Sequence, residues 1–443
     1  MNTTIVTLGC SKNEIDSELM MGILKNNNYK FVSSLEDADI IIINTCGFIE
    51  DAKKESIETI WKITRYKREG NCKYIILAGC LAERYPKELL EEIDEIDGII
   101  GTGNIKDIVQ LIEELKNGKN KIIRTKNINE DYIERIKRIS FRPTEYVKIS
   151  EGCNNFCTYC IIPKLRGKHR SRKMEDIIEE VEFLTDNGVK EIILIGQNIT
   201  DYGIDLYGDY KLYELLDHLN KIEKVKWIRL LYLYPDNISE RLISSIKNNQ
   251  KVLKYLDIPL QHINNEILKR MNRKTTKEDI VELISKLRRE IPEVVIRTTF
   301  IVGFPGESEE IFNELYSFIE EIQFDRLGVF TYSREEGTPA YSFDNQVPEK
   351  VKTDRKDKIM ELQREISYSL NSKKLGNIYE VLIEEQGDEN LYVGRSYMDS
   401  PEIDGIIYVS SDKKLEIGQF IKVKITDYLE YDLIGEIVDE FGK

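Results

Sequence analysis

Three cysteines at the spacing C-x-x-x-C-x-x-C, Cys153, Cys157 and Cys160, follow a short apolar run from Tyr146 to Ile149. Such a triplet offers three soft thiolate ligands and no fourth. A structural zinc site closes its shell with four protein ligands, and no second C-x-x-C pair lies nearby. A ferredoxin run continues to a further cysteine followed by proline; here Pro163 arrives without that cysteine. Three thiolates on a four-iron cluster leave one iron open, able to bind and activate a small molecule. The bland alternative is three unconnected core thiols, since free cysteine packs as a small hydrophobe, but this spacing seldom arises that way.

A second set is scattered along the first 118 residues. Apolar runs from Thr4 to Leu8, Ile40 to Ile43, Tyr74 to Ala78 and Gly98 to Ile100 alternate with helix-period segments, which predicts a doubly wound parallel sheet. Cys10, Cys46 and Cys80 each stand just past one of these strands. Ligands of open α/β sheets bind in the crevice outside the strands' carboxyl ends, so these three cysteines should meet at one edge as another three-thiolate set. Cys72, before the third strand, breaks the pattern and reads as a bystander.

The elements that must position the first triplet lie between Phe141 and Phe330. Six strand-then-helix units are predicted there, with strands from Tyr146 to Ile149, Glu191 to Ile195, Trp227 to Leu233, Tyr255 to Ile258, Val295 to Val302 and Arg326 to Phe330. Six units make an open, incomplete TIM-like β/α barrel, whose functional groups gather at the carboxyl ends of its strands. That rim should carry Gly196 and Gln197 after the second strand, His262 after the fourth, and Gly303, Gly306 and Glu307 after the fifth. Residues 119–140 read as a polar linker. After a charged helix from Pro348 to Lys373 the period changes to two, and five short strands over 373–443 predict a small antiparallel β-barrel.

With 443 residues, 41% hydrophobic and 32% charged, the chain reads as a soluble multidomain protein. No eighteen-residue apolar run and no leader pattern are present, which gives an expectation of a cytoplasmic location and no membrane association. In a reducing compartment the seven cysteines should be metal ligands or free thiols. A net charge of −15 argues against a broad nucleic-acid-coating surface. From Leu375 onward sixteen Asp and Glu stand against six Lys and Arg, so the last domain is a poor RNA clamp. One basic run, Lys164, Arg166, Lys168, His169, Arg170, Arg172 and Lys173, follows the cysteine loop. It reads equally as a ligand-binding cluster or as a solvated face.

Taken together, the two triplets and the stretches Gly9 to Glu18, Leu230 to Pro235, Asp257 to His262, Tyr332 to Ala340 and Gly394 to Gly405 resemble the radical S-adenosylmethionine (SAM) methylthiotransferases over essentially the whole chain. The match is closest to the branch that modifies an aspartate of small-subunit ribosomal protein S-twelve at its β-carbon. Ser11 stands where a proline is usual, and Gly196-Gln-Asn198 is nearer the tRNA-modifying branch. The resemblance implies a [4Fe-4S] cluster on Cys153, Cys157 and Cys160 that binds SAM and yields a deoxyadenosyl radical, with Tyr159 near the adenine. It implies a second [4Fe-4S] cluster on Cys10, Cys46 and Cys80 that supplies sulfur. Gly196, Gln197, Gly303 and Glu307 are the expected SAM contacts, and the last domain is similar to the TRAM module. A basic ribosomal protein and an electron-donor protein are the implied partners of a monomer. Methylthiolation of a tRNA base and a non-catalytic electron-transfer protein are the competing readings.

Overall fold

Ile40 to Ile43 are fully buried in succession, and they divide between two cores: Ile41 and Ile43 pack with Ile60 and Ile63, whereas Ile40 and Ile42 pack with Met20 and Leu24. A strand covered on both faces reads as an unbroken apolar run. It is β3 (Ile40–Thr45) of a parallel sheet with β1 (Asn2–Thr7), β2 (Lys30–Phe31), β4 (Tyr74–Ala78), β5 (Ile96–Ile100) and β6 (Ile122–Arg124). Helix α1 (Ser11–Asn26) covers one face and α2 (Glu50–Arg68) the other, so the doubly wound arrangement is as expected. The computed structural model describes residues 1–128, 138, 141–388 and 390–438.

The strand order β2-β1-β3-β4-β5-β6 puts the reversal of winding between β1 and β3. Cys10 follows β1, Cys46 follows β3, and Cys80 follows β4 in α3 (Gly79–Arg84). The expected linker differs at its start: Ile122 pairs with Gly98, and β6 is an edge strand of the sheet. Three residues are too few to show a period, which is why the strand is invisible in the sequence. Residues 129–137, 139 and 140 of that segment lie outside the described residues.

The central domain begins with β7 (Thr144–Lys148) and a short hairpin of β8 (Ser150–Glu151) and β9 (Arg170–Ser171). Strands β10 (Glu191–Ile195), β11 (Trp227–Leu230), β12 (Val252–Asp257), β13 (Val295–Val302) and β14 (Arg326–Thr331) continue a six-stranded parallel sheet in the order β14-β13-β12-β11-β10-β7. Val147, Ile192, Leu194, Ile228 and Ile296 face the outer helices, while Tyr146, Ile193, Ile195 and Trp227 face inward. The strands β15 (Ile378–Gln386), β16 (Leu391–Arg395), β17 (Ile407–Ser410), β18 (Phe420–Tyr428) and β19 (Leu433–Ile437) close into a barrel. Its pairings are antiparallel except β17 with β19.

This small barrel plugs the amino-terminal mouth of the large one. Arg395 reaches Glu191 at 2.6 Å, and Arg229 meets the other oxygen of the same carboxylate at 2.7 Å. Arg229 also donates to the Tyr397 carbonyl at 2.9 Å, Arg326 Nε reaches Asp399 at 3.0 Å, and Tyr255 donates to Asp404 at 2.5 Å. The motif from Gly394 to Gly405 is therefore the plug itself. Glu191 and Arg229 are both fully buried, and a buried charge is tolerable only when paired. Burial alone would raise the Glu191 carboxyl, but Arg395 and Arg229 outweigh it and hold its pKa at about 2, below the ordinary 4.5.

A depressed carboxylate pKa stabilises the fold above the unfolded value and ceases to do so as pH falls through the folded one. Glu191→Gln should therefore cost about 3–5 kcal/mol at neutral pH, because it leaves buried arginines uncompensated. The gap in thermal midpoint between wild type and variant should narrow only as pH falls from about 4.5 toward about 2. A gap that does not change over that window would refute the pairing.

Candidate active site

All six predicted ligands, Cys10, Cys46, Cys80, Cys153, Cys157 and Cys160, line a single cavity of about 410 Å³ at the carboxyl ends of both sheets. That volume is within the range of small-molecule and cofactor sites. No group of three His, Cys, Asp or Glu side chains among the described residues is drawn tightly enough to hold a single metal ion. The six thiols are distributed over the walls of that cavity. Cys72 is buried elsewhere, its thiol against the Tyr74 carbonyl at 3.4 Å, and it stays a bystander.

Each triplet is held by its own scaffold. Asn13 of α1 donates to the carbonyls of Leu8 and Thr45 at 2.9 and 3.0 Å, tying the Cys10 and Cys46 loops together, and the Cys80 sulfur lies 3.9 Å from its Oδ1. Gly9 and Gly79, each just before a cysteine, adopt φ of +92° and +89°, in the left-handed region that favours glycine. A Cβ on Gly9 would stand 2.7 Å from the Cys46 Cβ, and one on Gly79 would stand 2.3 Å from Asn44 Oδ1. The other triplet rides a loop pinned from outside: Cys153 N–H donates to Gly167 O at 3.1 Å, and Thr158 N–H to Met271 O at 3.0 Å. Asn272 donates to the carbonyls of Asn155 and Phe156 at 3.1 Å each.

Between the triplets lies a buried network of charges. Arg166 donates to Asp16 at 2.9 Å and to Asn13 Oδ1 at 2.6 Å, and lies 3.3 Å from Glu151. Lys148 bridges Asp16 and Glu151 at 2.6 Å each, and Gln197 Nε2 donates to Glu151 at 2.7 Å. Desolvation pushes the Glu151 carboxyl upward, but Lys148 and Arg166 override it and hold it well below the usual carboxylate range. Asp16 belongs to the N-terminal domain and the other charges to the barrel, so this network joins the two.

The cavity's leftover atoms are informative. Gln197 Oε1 and Arg273 Nε are buried without hydrogen-bond partners among the described residues, and both residues line the cavity. An acceptor and a donor left over in one cavity fit a ligand with both amino and carboxylate groups, as SAM has. The donor set likewise fits iron-sulfur clusters, whose ligands are thiolates. Burial raises the Cys46 thiol, brings Cys153 to about 11 and Cys80 to about 12, and pushes Cys160 well above its ordinary value. Bare thiolates are thus disfavoured here, and metal binding would have to displace the protons.

Tyr159 lines the cavity as expected, but Gly196, Gly303 and Glu307 are not among its lining residues. Gly196 packs against Ser150, and Gly303 donates its N–H to Glu307 at 2.9 Å. Glu307 is bound to Arg355 at 2.7 Å and stands 3.3 Å from His262, so these groups close a loop behind the rim. The basic run is divided: Lys164, Lys168 and Lys173 are exposed, whereas Arg166, His169 and Arg172 are buried, with His169 near Ser171 and Asp205 rather than in the cavity. Lys12, Tyr232, Tyr234, Gln261, Arg273 and Phe330 also line the cavity and were not singled out from sequence. Tyr232 and Tyr234 sit in a motif quoted for the resemblance, whereas Arg273 gave no sequence signal.

Gly79→Ala should disrupt only the second triplet. Anaerobically reconstituted variant is expected to hold about half the wild-type iron, since a strained φ falls on the Cys80 loop and the clash on Asn44 and Thr45, which lead into Cys46 of the same triplet. Iron content equal to wild type would show that the close approach at Gly79 is not needed.

Comparison with known proteins agrees with this organisation. The chain matches the Radical SAM superfamily over residues 147–319, the uncharacterized protein family UPF0004 over 2–101 and the TRAM domain over 375–438. It is 52% identical over 100% of both chains to ribosomal protein uS12 methylthiotransferase RimO of Clostridioides difficile (strain 630). It is 54% identical to the protein of that name in Thermoanaerobacter sp. (strain X514), over 98% of this chain and 99% of the relative. Among solved structures it is similar to the radical SAM methyltransferase TsrM from Kitasatospora setae, with TM-score 0.57 and 12% identity over 87% of this chain and 81% of that one. It is also similar in fold to the cobalamin-dependent radical SAM enzyme OxsB, with TM-score 0.53 and 15% identity over 82% and 56%. Full-length identity above half, with two cysteine triplets facing one cavity, places the chain in the radical SAM methylthiotransferase family, among the RimO proteins.

Proposed function

We propose that the protein inserts a methylthio group at the β-carbon of an aspartate in small-subunit ribosomal protein uS12. The observation that carries this reading is the convergence of six cysteines, from two domains, on one cavity. When bound, a [4Fe-4S] cluster on Cys153, Cys157 and Cys160 with SAM supplies a hydrogen-abstracting radical, and a second [4Fe-4S] cluster on Cys10, Cys46 and Cys80 supplies sulfur.

The chain's own residues supply position and exclusion of water, as is usual when cofactors carry the hard chemistry. Arg166, Lys148, Asp16 and Glu151 keep the two triplets face to face, so a substrate side chain entering between them meets both. Gln197 and Arg273 offer the leftover acceptor and donor for the SAM amino and carboxylate groups. Tyr159, Tyr234 and Leu233 give the cavity apolar walls, and half-exposed Phe330 with Phe48 marks its mouth. The acidic TRAM-like domain suits a basic ribosomal protein better than RNA. An electron-donor protein serves the first cluster, and the chain works as a cytoplasmic monomer. No helix among the described residues is long and apolar enough to cross a membrane.

The uS12 methylthiotransferase relatives favour this substrate over a tRNA base, and both triplets' lack of a fourth thiol disfavours a simple electron carrier. Cells lacking the protein should lose the methylthio mass from uS12 while their tRNA is unchanged, as read by mass spectrometry; loss from tRNA instead would overturn the substrate. With SAM and a reductant, Cys153→Ala should form no deoxyadenosine. Cys80→Ala should still form it yet transfer no methylthio group.

A further inference from the structure

The cavity wall contains three cations and no Asp or Glu. Two of the cations are engaged. Arg166 is matched by Asp16 and Glu151, and Arg273 donates to the Pro259 carbonyl at 2.7 Å with its guanidinium 4.0 Å from the centre of the Tyr234 ring. Lys12 is different. It is 6% exposed, and its ammonium stands 2.8 Å from the centre of the Tyr232 ring with no carboxylate or hydrogen-bond acceptor among the described residues.

A ring face orients an ammonium without neutralising it, so the charge remains available to an incoming anion. The seat is deliberately built. Tyr232 has φ of +66°, an uncommon conformation for a bulky residue, and such strain persists only where the surroundings hold it. Its N–H donates to Asp257 at 2.9 Å, and its carbonyl accepts from Ile199 at 3.2 Å. Lys12 comes from the N-terminal domain and Tyr232 from the barrel, so the cation is aimed into the space that the two cysteine triplets share.

We propose that Lys12 receives the side-chain carboxylate of the aspartate being modified and selects it over a neutral amide. The inference rests on the uS12 reading above and deepens it. The β-carbon is bonded directly to the carboxylate carbon, so a charge-assisted hydrogen bond to Lys12 fixes the reacting carbon two bonds from the oxygen in contact. A neutral side chain would leave the ammonium buried and unpaired, and polar sites built this way reject the analogue that lacks the partner.

The test measures binding of a synthetic uS12 loop peptide, with Asp or Asn at the target position, to anaerobically reconstituted holoenzyme with SAM. Wild type should prefer the Asp peptide at least tenfold. Lys12→Met should lose that preference by weakening the Asp peptide alone, and Lys12→Arg should retain most of it. Wild type that binds the two peptides equally overturns the inference and leaves the uS12 reading standing. Wild type that binds neither peptide overturns both. Lys12→Met that keeps the Asp preference but loses iron or changes the cluster absorption spectrum would assign Lys12 to the metal-thiolate charge instead. The wild-type comparison stands even if a variant fails to fold.

Discussion

Two domains that each carry half of a reactive centre must be held in one orientation, and the interaction that does so is the buried contact of Asp16 with Lys148 and Arg166. Asp16 meets Lys148 at 2.6 Å and Arg166 at 2.9 Å, and Glu151 accepts both of the same cations. Removing any one group would leave the buried network with one uncompensated charge, which costs more than a pair itself contributes. The network is therefore better understood as fixing registry than as adding stability. It also lies where orientation matters most: Asn13 accepts from Arg166 and binds the Cys10 and Cys46 loops. A second clamp acts at the seam's far side, where buried Glu335 of the barrel receives Lys53 at 3.0 Å and Arg84 at 2.7 Å from the N-terminal domain.

Much of this was legible in the sequence because its signals are local. Spacing within one loop revealed the first triplet. The position of Cys10, Cys46 and Cys80 just past strands revealed the second, since topology alone brings the ends of parallel strands to one edge. The unread part is non-local. Nothing around Arg273 distinguishes it from a surface arginine, and the basic run from Lys164 to Lys173 looks solvated until Arg166 is seen buried against Asp16, far along the chain, with His169 and Arg172 buried beside it. Nor does the sequence show that Gly303 and Glu307 are tied to each other and Glu307 to Arg355, so that neither lines the cavity.

The plug shows how a charged inner face can be mistaken for an apolar strand. Within β10, β11 and β13 the residues Glu191, Arg229 and Arg297 point inward, toward the amino-terminal mouth, among apolar neighbours that dominate the pattern. They are tolerable there because the small barrel completes their pairing: Arg395 meets Glu191, Asp404 meets Arg297, and the Tyr397 carbonyl accepts from Arg229. The small barrel is thus docked through buried ion pairs as well as through apolar contacts such as Trp227 against Phe420, with ring centres 4.7 Å apart.

That docking decides how the acidity of the last domain can act. Asp399, Asp404 and Arg395 are consumed internally, a loss of only one net negative charge, so the remaining surface stays strongly acidic. Yet the plug enters at the amino ends of the barrel strands, and the cavity opens at their carboxyl ends. The acidic surface and the chemistry therefore lie at opposite rims of one rigid barrel. The described side chains of the last domain do not line the cavity, so their charge does not reach the reacting residue directly. What it can do is attract a basic partner over distances near the Debye length and repel polyanions, an effect on encounter that salt weakens. On the proposed function, selection of the partner and selection of the atom to be modified would accordingly be carried by different parts of the molecule.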